Sequence, residues 1–513
     1  MTLDLRLVPA ALASWVAALL VVRAPPGRAL VVAVGAVLLA SGCALGPVRR
    51  RWDGFVQPSW QASVVLALVA AAAVGAAGAT QVAARERGLL PELSARAAVA
   101  TLVGRVGADP VPVRATWPGA PPRTRWVLDV TRVEAGRRTS AAVGRVVVLC
   151  GALGGGGPAY GARVQVTGRL RAADPGAREV AVLVAGADPV TLEPPRAWDA
   201  AAGRARAHVR ALADGIPGDA AALLPGVTVG DTSRVPDDLA DAMRASGLTH
   251  LVAVSGAHFA LVASLVLAGT AAVGAPPRVQ AGATVAVAAG MLVLVHPEPS
   301  VVRAAAMGAV GVLGLAAGRP ARSPAALGAA VVVLLVADPW LAGELGFALS
   351  VAATAGIVLL GTALTRRWAA RLGHGPASGI AVPVAAQLVC GPLVLVVSGV
   401  LTPWGVLANV VAAPAVAPAT LLGLLAAVLA PWWPGAAEAV AAVAGAACWW
   451  IGAVARHAAH LPGARLAWLP GPAGVVLLAV VGATLARLLL GPRRDAPAGP
   501  AGTGESRRGG VSA

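Results

Sequence analysis

The residues best placed to do chemistry in this chain are polar side chains set inside apolar runs. GLTHLVAVSGAHFALV, residues 247–262, carries Thr249, His250, Ser255, Gly256 and His258 at the start of a membrane-length segment. Polar groups in a span are costly unless they face water, protein or a passing substrate, so each is a functional candidate. On one continuous helix, a spacing of eight brings the two imidazoles within about 80° of each other. Gly256 would let a neighbouring backbone come close. The segment then lines a polar path; the competing reading is a helix–helix seam in which both imidazoles bond backbone carbonyls.

Similar groups recur downstream. HPEPSVVRAAAMG, residues 296–308, holds Ser300 and, a turn into its run, Arg303. A fixed guanidinium there would hold a phosphate or pair with a carboxylate, or else snorkel to the interface. ADPWLAGELGFALSVAATAG, residues 337–356, supplies Asp338, Glu344, Phe347 and Ser350, and its depth makes Glu344 the expected partner of Arg303. Gln387 with Pro392, and Asn409 with Pro414 and Pro418, follow in later runs. Prolines inside spans predict broken helices around a wet path.

Enzymatic chemistry finds no support. HEXXH, GxxxxGK[ST] and GxSxG are all missing from the sequence. His457 and His460 in RHAAH have no third ligand nearby, and Cys43, Cys150, Cys390 and Cys448 are scattered. Neither a zinc site nor a disulfide framework is expected. The expectation is a non-enzyme with no metal and no cofactor.

The elements that must position these groups are membrane helices. Of 513 residues, 57% are hydrophobic and 13% charged, against roughly a quarter charged in a soluble domain. The fold class is a polytopic α-helical membrane protein of about 12 spans, with an inserted extracellular all-β, OB-like domain. Apolar runs fall near 7–22, 29–46 and 59–80, and again from 247–272 onward to 472–490. Every basic residue is arginine, and the net charge is +17. Arg49–Arg51, Arg278, Arg366 and Arg367 assign those loops to the cytoplasm, with the C-terminus also inside. Arg23, Arg28, Arg456 and Arg465 fit that map less well.

The expected domains are N-terminal transmembrane helices over 1–85, the OB-like domain over 86–197, amphipathic or re-entrant linker helices over 198–245, a channel-type transmembrane domain over 246–491, and a disordered tail over 492–513. In the second domain, short Val-rich runs separated by PPR, GGGGP and ADPG read as five strands of a small barrel. Between Arg96 and Glu193 stand thirteen arginines against seven carboxylates, with Trp117, Trp126 and Tyr160 as the aromatics. A basic groove with stacking aromatics suits single-stranded nucleic acid, making Arg105, Arg123, Arg125, Trp126, Arg132, Tyr160 and Arg169 the DNA-binding candidates. An ordinary solvated basic face is the alternative. In the linker, Arg204, Arg206 and Arg210 are expected away from the apolar side of ARAHVRALAD.

Four ordered blocks resemble the ComEC family of bacterial competence proteins: ALLPGVTVGDTSRVPDDLADAMRASGLTHLVAVSGAHFALV; PEPSVVRAAAMG; GRPARSPAALGAAVVVLLVADPWLAGELGFALSVAATAGI; and LTPWGVLANVVAAPAVAP. The family's motifs fall on Gly230 and Asp231; Ser246, Gly247, His250, Ser255, Gly256 and His258; Ser300, Arg303 and Ala304; Asp338, Gly346, Phe347 and Ser350; and Asn409 with Pro414. The resemblance implies an inner-membrane channel for single-stranded DNA uptake during natural transformation. It also implies a competence DNA receptor, and cytoplasmic helicase and single-strand-binding proteins, as partners in a lipid setting, with homo-oligomerisation open. Many relatives carry a C-terminal metallo-β-lactamase-like domain; with no HxHxDH here, nuclease activity is not expected. A secondary transporter or exporter of a small or lipidic substrate, and a non-conducting scaffold, are the rival readings.

Overall fold

The structure, a computed structural model, describes residues 5–24, 35, 59–113, 117, 122–151, 157–252, 254–296, 301–302, 305–309 and 324–491. Helices α1 (Val8–Arg23) and α2 (Ser59–Arg85) lead through a short α3 (Leu90–Ala95) into six strands. These are β1 (Val99–Val113), β2 (Arg123–Ala135), β3 (Arg138–Gly151), β4 (Arg163–Ala172), β5 (Glu179–Ala185) and β6 (Val190–Glu193).

The sheet runs β1-β2-β3-β5-β4 and closes where β4 pairs with β1, from Val99↔Arg169 to Arg105↔Arg163; β6 is appended to β4. Only β3–β5 is parallel among its pairings. Alternation accounts for the core: in β4, Val164, Val166, Gly168 and Leu170 point inward and the residues between them face out or half out. They meet Leu102, Trp126, Leu128, Val146, Val148 and Leu183. Strand β1 serves both β4 and β2 by bending through register shifts at Val103/Gly104 and Val106/Ala108. Gly104 is required there, because a Cβ would collide with the Asp129 carbonyl.

Three linker helices follow: α4 (Ala197–Asp214), α5 (Asp219–Val229) and α6 (Asp237–Ala245). Then come α7 (Gly256–Ala272), α8 (Pro277–Leu294), α9 (Pro324–Ala337), α10 (Leu345–Leu372), α11 (His374–Ser398), α12 (Gly405–Leu429), α13 (Pro434–His460) and α14 (Gly471–Leu490). Among the described residues, seven helices are long and apolar enough to cross a membrane: α2, α8 and α10–α14. α1, α5, α7 and α9 are shorter apolar helices. The expected count of about 12 spans is not tested, since the expected runs over 29–46 and 300–317 lie largely outside the described residues, as does the tail.

The helices form two groups. In the N-terminal group, α1, α2, α9 and the start of α10 pack around Ala17, Ala18, Val74, Leu335 and Phe347, with Trp15 stacked on Phe347 at 4.7 Å. In the C-terminal group, the linker helices lie against α12 and α13 through Leu223, Leu239, Met243, Ala412, Ala419 and Ile451, and the α7–α8 hairpin joins them. Alanines at the contacts let backbones approach closely, as lipid-embedded helices require.

The prolines do not break their helices: α11 continues through Pro383 and Pro392, and α12 through Pro414 and Pro418. In α12, the Trp450 indole donates to the Val411 carbonyl at 2.9 Å, just before Pro414. The acceptor that Pro414 itself leaves without an N–H is the preceding carbonyl, that of Val410, so the indole bonds its neighbour. Helix α5 is buried along most of its length, and its Thr228 lies against Gly423 of α12. A Cβ at 423 would collide with Thr228 Oγ1. Gly423→Ala should cost about 1–3 kcal/mol, and adding Thr228→Ala should recover most of it. Thermal unfolding in detergent, followed by tryptophan fluorescence, measures both.

Candidate functional site

The segment with two histidines is not one helix. Gly247, at φ 70°, terminates α6 in a left-handed conformation, a 3-10 turn covers Thr249–Leu251, and α7 begins only at Gly256. Ser255 and His258 stop the turn and start the helix as a capping box. The Ser255 N–H donates to His258 Nδ1 at 2.9 Å, and Ser255 Oγ stands 2.9 Å from the same nitrogen. His258 is 1% exposed, and its Nε2 has no hydrogen-bond partner among the described residues. It builds the helix start, whereas Thr249, His250 and Gly256 are left exposed. The expected 80° relation between imidazoles fails because the intervening residues are not helical.

Gly247 lies against the α12 start: a Cβ on it would stand 3.3 Å from Gly405 Cα. Around Gly405 gather Thr402 Oγ1, Gln387 Oε1 and the Ser246 carbonyl, all within 4 Å of the position its own Cβ would take. Asn409 donates to the Gly405 carbonyl at 2.7 Å. A small polar cluster therefore sits where α6, α11 and α12 converge. Asp231 holds the preceding turn, accepting from the N–H and Oγ of Ser233 and pairing with Arg210 at 3.1 Å.

Other candidates fall elsewhere. Phe347 is fully buried against Trp15 and lines nothing. Ser350 is half-buried, and its carbonyl accepts from Thr354 at 2.9 Å. Ser300 and Arg303 lie outside the described residues. Glu344 is not deep in the bundle. It precedes α10 on the barrel side and accepts from Arg178, of the β4–β5 turn, at 3.4 Å. Asp338 takes the same guanidinium at 2.8 Å and also accepts from the Trp340 N–H.

The barrel meets the C-terminal group at a second charged junction. Asp109 of β1 accepts from Arg206 at 2.7 Å and from His296 Nδ1 at 2.9 Å, while Tyr160 stacks on His296 with centroids 3.9 Å apart. Arg206 is 3% exposed and also donates to the carbonyls of Val229 and Leu294. The expectation that it points away from the apolar side is overturned. Counting would have found it, since Ala202, Val209 and Ala213 share its face at helical spacing. Nothing in the residue pattern marks Arg178 or Asp109 in the same way.

The DNA-binding candidates divide. Trp126 is 1% exposed in the barrel core and has no face to offer a base. One face of Tyr160 is taken by His296. Arg105 is bonded to Glu193 and the Gly161 carbonyl, and Arg132 lies 3.9 Å from Glu134. Arg123, Arg125 and Arg169 are exposed with no ion pair among the described residues, and Trp117 is 58% exposed. Two arginines that resisted the charge map find partners: Arg456 pairs with Asp219 and Asp238, and Arg465 donates to the Asp241 carbonyl.

Burial acts to raise the Asp109 carboxyl, but the bond from His296 and the charge of Arg206 outweigh it, and the net value is lowered. With the folded value below the ordinary one, its stabilisation is complete above the carboxylate range and is lost as pH falls through the depressed value. Acid titration of the full chain, read by protease sensitivity at the barrel junction, should show that step, and Asp109→Asn should lack it. Arg206→Ala, which leaves Asp109 with His296 alone and removes the donor to the Val229 and Leu294 carbonyls, should destabilise by about 1–3 kcal/mol in thermal melts.

Residues 227–493 match the family described as Competence protein. ComE operon protein 3 of Bacillus subtilis (strain 168) is 30% identical over 163 residues, which is 30% of this chain and 20% of that relative. The match thus spans about a fifth of the relative's length. No solved structure matches the chain.

Proposed function

We propose, for a chain that belongs to the Competence protein family, that it conducts single-stranded DNA across the plasma membrane during natural transformation. The observation that carries this reading is a basic barrel joined by ion pairs to both helix groups. Its outward arginines Arg123, Arg125 and Arg169 have no carboxylate partner among the described residues. Free guanidiniums attract phosphates with strong salt dependence, and the exposed Trp117 offers a stacking surface. The closed five-stranded order is read as OB-like, a form that binds oligonucleotides on its sheet and loops.

In this reading the barrel lies outside. Arg278, Arg366, Arg367 and Arg371 stand at the opposite ends of their helices and would face the cytoplasm. A strand leaving the barrel would meet Thr249, His250 and Gly256 and then the polar cluster around Gly405. No nucleotide-binding motif occurs in the sequence, so a helicase-type partner would supply the pull.

The full chain in nanodiscs should bind fluorescent single-stranded DNA at low salt. Arg123→Ala with Arg125→Ala should weaken that binding and flatten the salt slope by about 1.4, or 0.7 for each phosphate no longer neutralised. In a competent host, deletion should abolish transformation, and His250→Ala should lower it at unchanged protein abundance. Normal transformation by a deletion strain with no second copy would reject uptake as the function.

A further inference from the structure

The two charged junctions described above fasten the barrel to different helix groups. On one side, Arg178 bridges Asp338 and Glu344 in the N-terminal group at 2.8 and 3.4 Å. Arg85, the last residue of α2, donates to the Arg178 carbonyl at 2.8 Å, and its guanidinium lies 3.2 Å from the Trp340 ring centroid. Asp338 also caps the turn Pro339–Gly343, so one carboxylate fixes both the guanidinium and the entry to α10. On the other side, Asp109 joins β1 to Arg206 of α4 and to His296 beyond α8, under the ring of Tyr160.

Among the described residues, the groups meet within the helical layer through α11 and a short piece of chain. Helix α11 packs on both α10 and α12, yet of its 25 residues only Ala377, Ala381, Ala385 and Leu395 are buried. The described part of 301–309 also lies between them: Val301 packs with the α7–α8 core and Ala306 with the N-terminal core. The barrel, with a continuous core of its own, touches both groups. Charge pairs with shared, multiple hydrogen bonds are directional, so they set position as well as attachment.

We infer that the barrel is a tie that fixes the spacing of the two helix groups, with Arg178 and Asp109 as its positioning residues. The inference goes beyond the uptake reading, because it concerns the gap between the groups whatever passes through. Loss of either clasp frees one group to move against the other, and a substitution that keeps the ion pair keeps the spacing.

The test uses the full chain in nanodiscs, without DNA, in a cysteine-free background. Spin labels are placed at Ser264 of α7 and Leu359 of α10, both exposed, and distances are read by double electron–electron resonance. The unaltered clasps should give one narrow distance. Arg178→Ala and Asp109→Ala should each broaden it at least twofold, and Arg178→Lys, which keeps a cation between Asp338 and Glu344 and leaves the Asp338 cap intact, should stay close to the narrow form. A narrow Arg178→Lys beside a broad Arg178→Ala separates a positional role from misfolding. An unchanged distribution in Arg178→Ala/Asp109→Ala, or Arg178→Lys as broad as Arg178→Ala, overturns the inference. Because no nucleic acid is present, that result leaves the uptake reading to stand or fall on transformation and binding.

Discussion

No water reaches a backbone amide or carbonyl left open inside lipid, so each irregularity in a membrane helix must be answered by a neighbouring group. That constraint organises the C-terminal half of this chain. Ser255 and His258 close the start of α7 for each other. At the start of α12 and near Pro414, Asn409 and Trp450 add side-chain donors to the Gly405 and Val411 carbonyls. Polar residues that look like a row of pore-lining groups are therefore divided. Some hold the backbone where the chain turns, and others, such as Thr249 and His250, are left exposed by that support.

Arginine performs a parallel service between elements. With no lysine in the sequence, every cationic side chain but histidine is a planar fork able to serve several acceptors at once. Arg456 ties α5 and α6 to α13, Arg206 ties α4 to α5, α8 and the barrel, and Arg178 ties the barrel to the turn before α10. Arg456 and Arg465, which fit the expected charge map less well, are among the arginines held in this way. A guanidinium satisfied by two carboxylates carries little net charge to orient a span.

The membrane class, the strand-rich domain and the linker helices were readable from hydropathy and alternation, which depend on local periodicity. β1 through β5 fall on the Val-rich runs because a half-buried strand must alternate. The helix boundary at Ser255 was hidden because an apolar run looks the same whether it is a span or a capped turn followed by one. Trp126 was misassigned against the alternation itself, since it shares the inward side of β2 with Leu128 and Val130 while Arg125 and Asp129 face out. Contacts made across the chain, such as Arg178 with Asp338, leave no periodic trace at all.

A sheet that closes on itself has consequences for what can bind it. Closure covers only part of the strands: β4 pairs with β1 from Val99 to Arg105 and β5 with β3 from Arg145 to Leu149, so Ala108–Val113 and Arg138–Gly144 are held by β2 alone. A guest polypeptide could extend the sheet only along those short flanking edges, a common route for peptide capture on β domains. Around the closed belt it would meet side chains alone, which leaves charge and ring stacking as the means of selection there.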